Sequence, residues 1–289
     1  MIEIRTAFTT IPYKLINYPD GTQKIDFEND FRSYAGVEDL FLVWKGYRGD
    51  EELVTLIYLT RHIQNEWHLN PGLYLPYVPN ARMDRVKDEV YEVFTLKYFT
   101  EIINSLNFKF VQVLDPHSNV TSALLDKVKS VSPYGFISNA IDHIKNVKGA
   151  NKVFLYFPDE GAEKRYSELF RESDYLVGHK KRNWRTGEIE GLTITGKNGQ
   201  NYTIPEDASV LMVDDIISYG GTLSHSAYVL KEMGFSHIYA YATHVEDSVL
   251  DKDKGTLWKD VENGLVDMIF TTDSLFSKKN YLINVSKCS

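Results

Sequence analysis

The sequence predicts an α/β fold in two domains, each with a mainly parallel sheet flanked by helices. Three observations carry that prediction. Short apolar runs alternate with amphipathic stretches along the chain, the pattern of strands joined by crossover helices. The segment Val210–Leu223 joins an apolar run to adjacent Asp214 and Asp215, a Gly-Gly-Thr turn and a helical stretch. The same order of elements recurs in the two halves, although no convincing sequence repeat accompanies it.

The elements follow in order. Leu40–Trp44 reads as a buried strand, and Glu51–Trp67 as a helix with Leu53, Leu56, Ile57, Leu59 and Ile63 at helical spacing. Leu73–Val78 is a strand, Val90–Leu106 a helix, and Phe108–Leu114 a strand ending at Asp115. The domain boundary falls near Val131–Tyr134, giving domains 1–132 and 133–289. Ile137–Val147 opens the second domain as a helix, Lys152–Phe157 is a strand, and Gly161–Phe170 starts a helix. Tyr175–Gly178 is a short strand. The polar stretch Trp184–Ile204 carries Gly187, Gly191, Gly196 and Gly199, and reads as a mobile excursion or hairpin able to act as a lid. Val210–Val213 and His237–Ala242 are strands flanking a helix with Leu223, Ala227, Leu230 and Met233 on one face. Tyr281–Val285 is strand-like.

Composition narrows the class. With 289 residues and 43% hydrophobic content, a sizeable core is available. The net charge of −8 gives no electrostatic footprint for nucleic acid. The single cysteine, Cys288, excludes an intrachain disulfide. No signal pattern and no membrane-spanning run is present, so a soluble cytoplasmic protein is expected. The 19 tyrosines suit core and interface packing.

The chemistry concentrates in Val210–Leu223. A strand leading through glycines into a helix N-terminus makes an anion cradle from backbone N–H groups and the helix dipole. Two acids before that cradle suit a ligand with hydroxyls at one end and a phosphate at the other. Ribose 5-phosphate has that shape. The order resembles the phosphoribosyl-pyrophosphate motif of type I phosphoribosyltransferases and of ribose-phosphate diphosphokinases. Five further segments narrow the resemblance to the diphosphokinases: Tyr18–Gly21 (an adenine loop), Leu75–Arg85 (with Arg82 and Asp84), Asp115–Ser118, Phe157–Arg165 and His179–Arg182. They occur in the family's order from about Tyr18 to His244.

The resemblance implies two phosphoribosyltransferase-like domains. The ATP site lies in 1–132 and the ribose-phosphate site in 133–289. It implies transfer of the β,γ-diphosphoryl group of ATP to the anomeric hydroxyl of ribose 5-phosphate, with release of AMP and with Mg2+. Lys180 and Arg182 would stabilise the transferring phosphate. Tyr18 would stack on adenine and Asp20 accept from its amino group, with Arg82, Asp84 and His117 on the ATP side. His117 and Asp159 match magnesium-associated positions, although a histidine ligand is unusual for this hard cation. Asp214, Asp215, Ser218, Tyr219, Gly220, Gly221 and Thr222 would hold the ribose phosphate. The adenine loop implies a homo-oligomer, a dimer or hexamer, because in the family it reaches a neighbouring subunit's site.

The departures also carry information. Ser218 and Tyr219 stand where the family has Asp and Thr, Met83 stands for Gln, and Thr22 for Glu. The stretch after Val285 is shorter than the family's C-terminal region, so its allosteric phosphate site is not implied. Changes gathered at the acceptor's phosphate end, with Lys180 and Arg182 kept, point to an alternative acceptor. ADP-ribose would then give ADP-ribose pyrophosphate for NAD salvage, as in phage relatives acting in the host cytoplasm. Ribose 5-phosphate is the default. A non-catalytic synthetase-associated protein and a phosphoribosyltransferase are the rival classes. Lys180 and Arg182 argue against the former, and the first-half segments against the latter.

Overall fold

A computed structural model describes residues 2–86, 91–182, 189–200 and 202–288, with the backbone alone at 148, 180–182, 189–190 and 198. The chain divides into two compact units, Met1–Ser132 and Pro133–Cys288.

In the first unit, β1 (Ile2–Arg5), β2 (Thr10–Ile11), the hairpin β3 (Tyr13–Asn17) and β4 (Gln23–Phe27), and β5 (Phe41–Trp44) precede helix α1 (Glu51–Asn65). There follow β6 (Gly72–Leu75), α2 (Thr95–Ser105), β7 (Val111–Leu114), α3 (Asn119–Leu124) and β8 (Val128–Val131). The main sheet has the order β2-β1-β5-β6-β7-β8, and β3 and β4 form a sheet of their own. The run from β5 to β8 is parallel, whereas β1 is antiparallel to β5 and to β2. The sequence reading assigned no strand before residue 40, because β1 to β4 are short and mostly lack an apolar run. The strand expected at Leu73–Val78 stops at Leu75, where Pro76 has no N–H for the ladder. The strand expected from Phe108 begins at Val111, because Asn107 takes φ +51° and Lys109 N–H turns to Pro71 O. The helix expected from Val90 begins at Thr95. The core gathers Leu42, Trp44, Leu56, Leu59, Ile63, Leu73, Leu75, Leu96 and Ile103, all nearly fully buried.

The second unit runs α4 (Tyr134–Lys148), β9 (Val153–Phe157), α5 (Glu160–Tyr166), β10 (Tyr175–Arg182), β11 (Ile189–Gly196), β12 (Ser209–Ile217) and α6 (Gly221–Glu232). It closes with β13 (His237–Val245), α7 (Thr256–Glu262), β14 (Met268–Thr272) and β15 (Ile283–Ser286). The sheet order is β11-β10-β9-β12-β13-β14-β15, parallel throughout except that β11 returns antiparallel along β10. Where it is described, the polar excursion is therefore the returning strand of a hairpin, and 183–188 lie outside the described residues.

Helices cover both faces of this sheet. Leu223, Ala227 and Leu230 of α6, with Leu257 and Val261 of α7, pack on Val210, Met212, Ile238 and Ala240. Ile137, Ala140 and Ile144 of α4, with Ala162 and Tyr166 of α5, pack on Leu155, Leu211, Val213 and Tyr239. Burial of each large apolar side chain contributes roughly 1.5–3 kcal/mol. Period-two alternation along β12 thus sends neighbouring residues to opposite cores. Among the described residues, no helix is long and apolar enough to cross a membrane.

Candidate active site

The second unit brings three neighbouring parallel strands, β10, β9 and β12, to one sheet end, the end where α/β sheets bind ligands. Asp159 follows β9. Lys180 and Arg182 lie on β10 beyond its last pair with β9, Val177 with Phe157. A register shift separates Lys181 from Arg182. The side chains of Lys180 and Arg182 lie outside the described residues.

Asp214 and Asp215 do not end their strand, contrary to the sequence reading. β12 continues through Ile217, paired with Val245 of β13, because its hydrogen-bonded ladder tolerates the acids. Asp215 is 4% exposed. Its N–H donates to Asp214 Oδ1 at 2.9 Å, and its Oδ1 accepts from Arg165 Nη1 at 2.7 Å. Asp214 is half-buried. Burial, then the charge of Asp215, then Asp159, hold its carboxyl well above the usual range. Negative groups crowded this way favour arrival of a cation or of hydroxyl donors.

Gly220 forms the turn into α6 at φ +81°, a conformation costly for other residues. A Cβ added there would lie 2.3 Å from Leu257 Cβ, so close packing against α7 also demands glycine. Gly220 contributes no side-chain cap, and the first N–H groups of α6 have no intrahelical acceptor. Gly221 is exposed and Thr222 half-buried, so the helix end is open, the arrangement expected of an anion cradle. Tyr219 O accepts from Thr256 N and Oγ1 at 3.0 and 3.1 Å, which fixes the start of α7 against the turn. The Tyr219 ring is 40% exposed, with Lys254 Nζ 5.7 Å from its centroid. Ser218 is half-buried.

A buried chain braces the cradle from below. Ser226 Oγ donates to Thr222 O at 2.9 Å and lies 2.9 Å from the Tyr156 hydroxyl. Burial raises the Tyr156 pKa to about 12. A Cβ at Gly178 would lie 2.3 Å from that hydroxyl, which explains the glycine in β10. Sequence reasoning missed Tyr156, Ser226, Gly178 and Arg165. The signal for Tyr156 was a hydroxyl in an apolar strand, which must find a partner once buried. For Arg165 it was the Lys-Arg ending of the segment after β9.

Asp159 is the N-cap of α5, its Oδ1 accepting from Ala162 N at 3.0 Å. Among the described residues, no group of three or more His, Cys, Asp or Glu has metal-holding geometry. The two expected magnesium positions, His117 and Asp159, belong to different units.

In the first unit, Arg82 is exposed in the turns after β6, where Ala81 N–H bonds Val78 O and Met83 N–H bonds Asn80 O. Asp84 faces Arg85, with Nε 3.9 Å from Oδ1; Arg85 is 83% exposed, so the pair contributes little. His117 follows β7 and is half-buried. The preceding Asp115 takes φ +44° and donates its N–H to Val131 O at 3.0 Å. Leu114 N–H to Pro76 O ties the loops after β6 and β7 together, so these two loops share one sheet end. Tyr18 and Asp20 instead sit at the tip of the β3–β4 hairpin, in the separate sheet. Tyr18 is 47% exposed. Thr22 donates both Oγ1 and N–H to Asp20 Oδ1, at 2.7 and 2.9 Å, and this lowers the Asp20 pKa.

No protein-family model matches the chain. Among curated proteins it is similar to the ribose-phosphate pyrophosphokinase of Chlorobaculum tepidum, 27% identical over 276 residues, covering 93% of this chain and 77% of that one. The ribose-phosphate pyrophosphokinase of Thermococcus kodakarensis is 26% identical over 249 residues, covering 84% and 81% of the two chains. The crystal structure of phosphoribosylpyrophosphate synthetase from Mycobacterium smegmatis matches the fold with a TM-score of 0.69 at 16% identity, covering 96% of this chain and 87% of that chain. With both units spanned and the motifs in order, the chain is similar along most of its length to ribose-phosphate pyrophosphokinases and shares the fold of a phosphoribosylpyrophosphate synthetase.

Proposed function

We propose that this enzyme transfers the β,γ-diphosphoryl group of ATP to the anomeric hydroxyl of ribose 5-phosphate, giving phosphoribosyl pyrophosphate and AMP. The observation that carries the reading is the β12–α6 corner, where Asp214 stands just before an uncapped helix N-terminus turned by Gly220. The N–H groups at the start of α6 take the 5-phosphate, and Asp214 accepts from ribose hydroxyls. The anomeric oxygen attacks the β-phosphorus, the bond to the α-phosphate oxygen breaks, and AMP leaves with that oxygen while the hydroxyl proton is released. Such transfer depends on alignment and charge neutralisation. Lys180 and Arg182 supply positive charge to the moving group. Arg82 and His117 hold ATP phosphates, and Tyr18 and Asp20 hold adenine. The exposed place of Tyr18 and Asp20 at the tip of the β3–β4 hairpin supports action from a neighbouring copy in a homo-oligomer.

The donor set suits a magnesium ion carried on the nucleotide. Carboxylates are available at Asp159 and Asp214, but no protein cage surrounds them among the described residues, and magnesium commonly keeps waters and phosphate oxygens. Bound there, the cation would neutralise charge on the transferring group. One observation favours a second acceptor: the exposed Tyr219 ring beside the cradle offers a stacking face for a larger group on the 5-phosphate, as in ADP-ribose.

Product analysis tests both. Incubation with ATP, magnesium and ribose 5-phosphate is expected to give AMP and phosphoribosyl pyrophosphate. AMP formed with ADP-ribose alone would install the second reading. No AMP with either acceptor would refute the transfer.

A further inference from the structure

Arg165 stands in the last turn of α5, the short helix that Asp159 caps. Its guanidinium meets Asp215 Oδ1 at 2.7 Å, with side chains 23% and 6% exposed, and Nη1 also reaches the Tyr166 hydroxyl at 3.4 Å. The contact with Arg165 of α5 places Asp215 on the face of Leu211 and Val213, which α4 and α5 cover. Asp214 lies on the face of Val210 and Met212, which α6 covers. The cradle begins α6. The two adjacent acids are therefore held by different elements.

We propose that Arg165 is a positioning residue that keeps Asp215 on the α5 face, and so leaves Asp214 as the carboxylate of the pair that meets the ribose hydroxyls. This rests on the acceptor reading of the cradle given above. A guanidinium neutralises a carboxylate through a fork of donors. A buried carboxylate deprived of that partner must move or take up a proton, and either change disturbs its neighbour.

The test measures calorimetric binding of ribose 5-phosphate to the full-length protein with magnesium and α,β-methylene-ATP present, so that no transfer occurs. KM for each substrate is measured alongside. Arg165→Met is expected to weaken ribose 5-phosphate by about fivefold or more while KM for ATP changes by less than about twofold. R165M/D215N should recover most of that affinity, because neither charge is left alone. Asp214→Asn should weaken binding by about tenfold or more, and Arg165→Lys should fall between wild type and Arg165→Met.

Asp215→Asn as damaging as Asp214→Asn, or no recovery in the double variant, would place Asp215 on the ribose and overturn the division. A fall in kcat with both KM values unchanged would make Arg165 purely structural and also overturn it. Should Arg165→Met fail to fold, the two aspartate variants and the double variant decide the matter. Wild-type protein that does not bind ribose 5-phosphate would overturn the acceptor reading itself, which separates that failure from failure of the division.

Discussion

Gly220→Ala offers the sharpest test of how the cradle is built. The residue adopts φ +81°, and an added Cβ would sit 2.3 Å from Leu257 Cβ. The left-handed conformation costs a non-glycine residue roughly 1–2 kcal/mol. Overpacking a rigid contact costs roughly another 1–3 kcal/mol. Leu257 is fully buried, so it cannot retreat into solvent. The two costs together are about 2–5 kcal/mol, which corresponds to roughly 4–20 °C in Tm for a unit of this size. Trimming Leu257 to Ala should not rescue the variant, because the conflict is with the Cβ that alanine keeps. The neighbour provides the control: a Cβ at Gly221 would meet only Thr256 Oγ1, at 3.7 Å, so Gly221→Ala should stay within about 0.5 kcal/mol of wild type. The measurements are thermal and urea unfolding of the three variants. Gly220→Ala with an unchanged urea midpoint, or no more destabilised than Gly221→Ala, would refute the argument.

Four further outcomes are expected. Tyr228→Phe should cost roughly 1–3 kcal/mol in urea unfolding, because the Tyr228 hydroxyl is the partner of Asp260, which is 4% exposed and whose Oδ2 has no hydrogen bond. Stability should decline between pH 10 and about 12, by roughly 1.4 kcal/mol per pH unit for each such tyrosine, because the unfolded state ionises Tyr156 while the fold holds it neutral up to about 12; Tyr156→Phe should make that decline shallower. Lys180→Ala and Arg182→Ala should each lower kcat by more than about tenfold with smaller changes in KM, and unchanged turnover in both would remove β10 from the chemistry. Asp159→Asn keeps a capping oxygen for Ala162 but loses the charge, so Tm should hold while the magnesium concentration for half-maximal activity rises; an unaltered magnesium requirement would leave Asp159 as a cap alone.

What could be read from the sequence was whatever depends on near neighbours in the chain. Apolar runs and helical spacing located α1, α6, β9, β12 and β13 to within a few residues, because side-chain periodicity of two or 3.6 expresses local backbone geometry. The glycine pair, the preceding acids and the following helix placed the cradle for the same reason. Elements too short for a continuous apolar run were not legible: β1 to β4 exist because neighbouring strands offer them hydrogen-bonding edges, whereas the hairpin read in the polar excursion is met by β11 returning along β10. Strand ends were misplaced where the ladder, not composition, decided them, as at Ile217. The finer site was beyond reach altogether. That Arg165 meets Asp215, that Leu257 forces glycine at residue 220, and that Tyr156 braces Thr222 through Ser226 are consequences of packing distant segments together. Sequence determined that a strand, two acids and an open helix end would stand in a row. The tertiary structure decided which acid is held by α5 and which lies on the face of α6, because that depends on what each face of β12 is packed against.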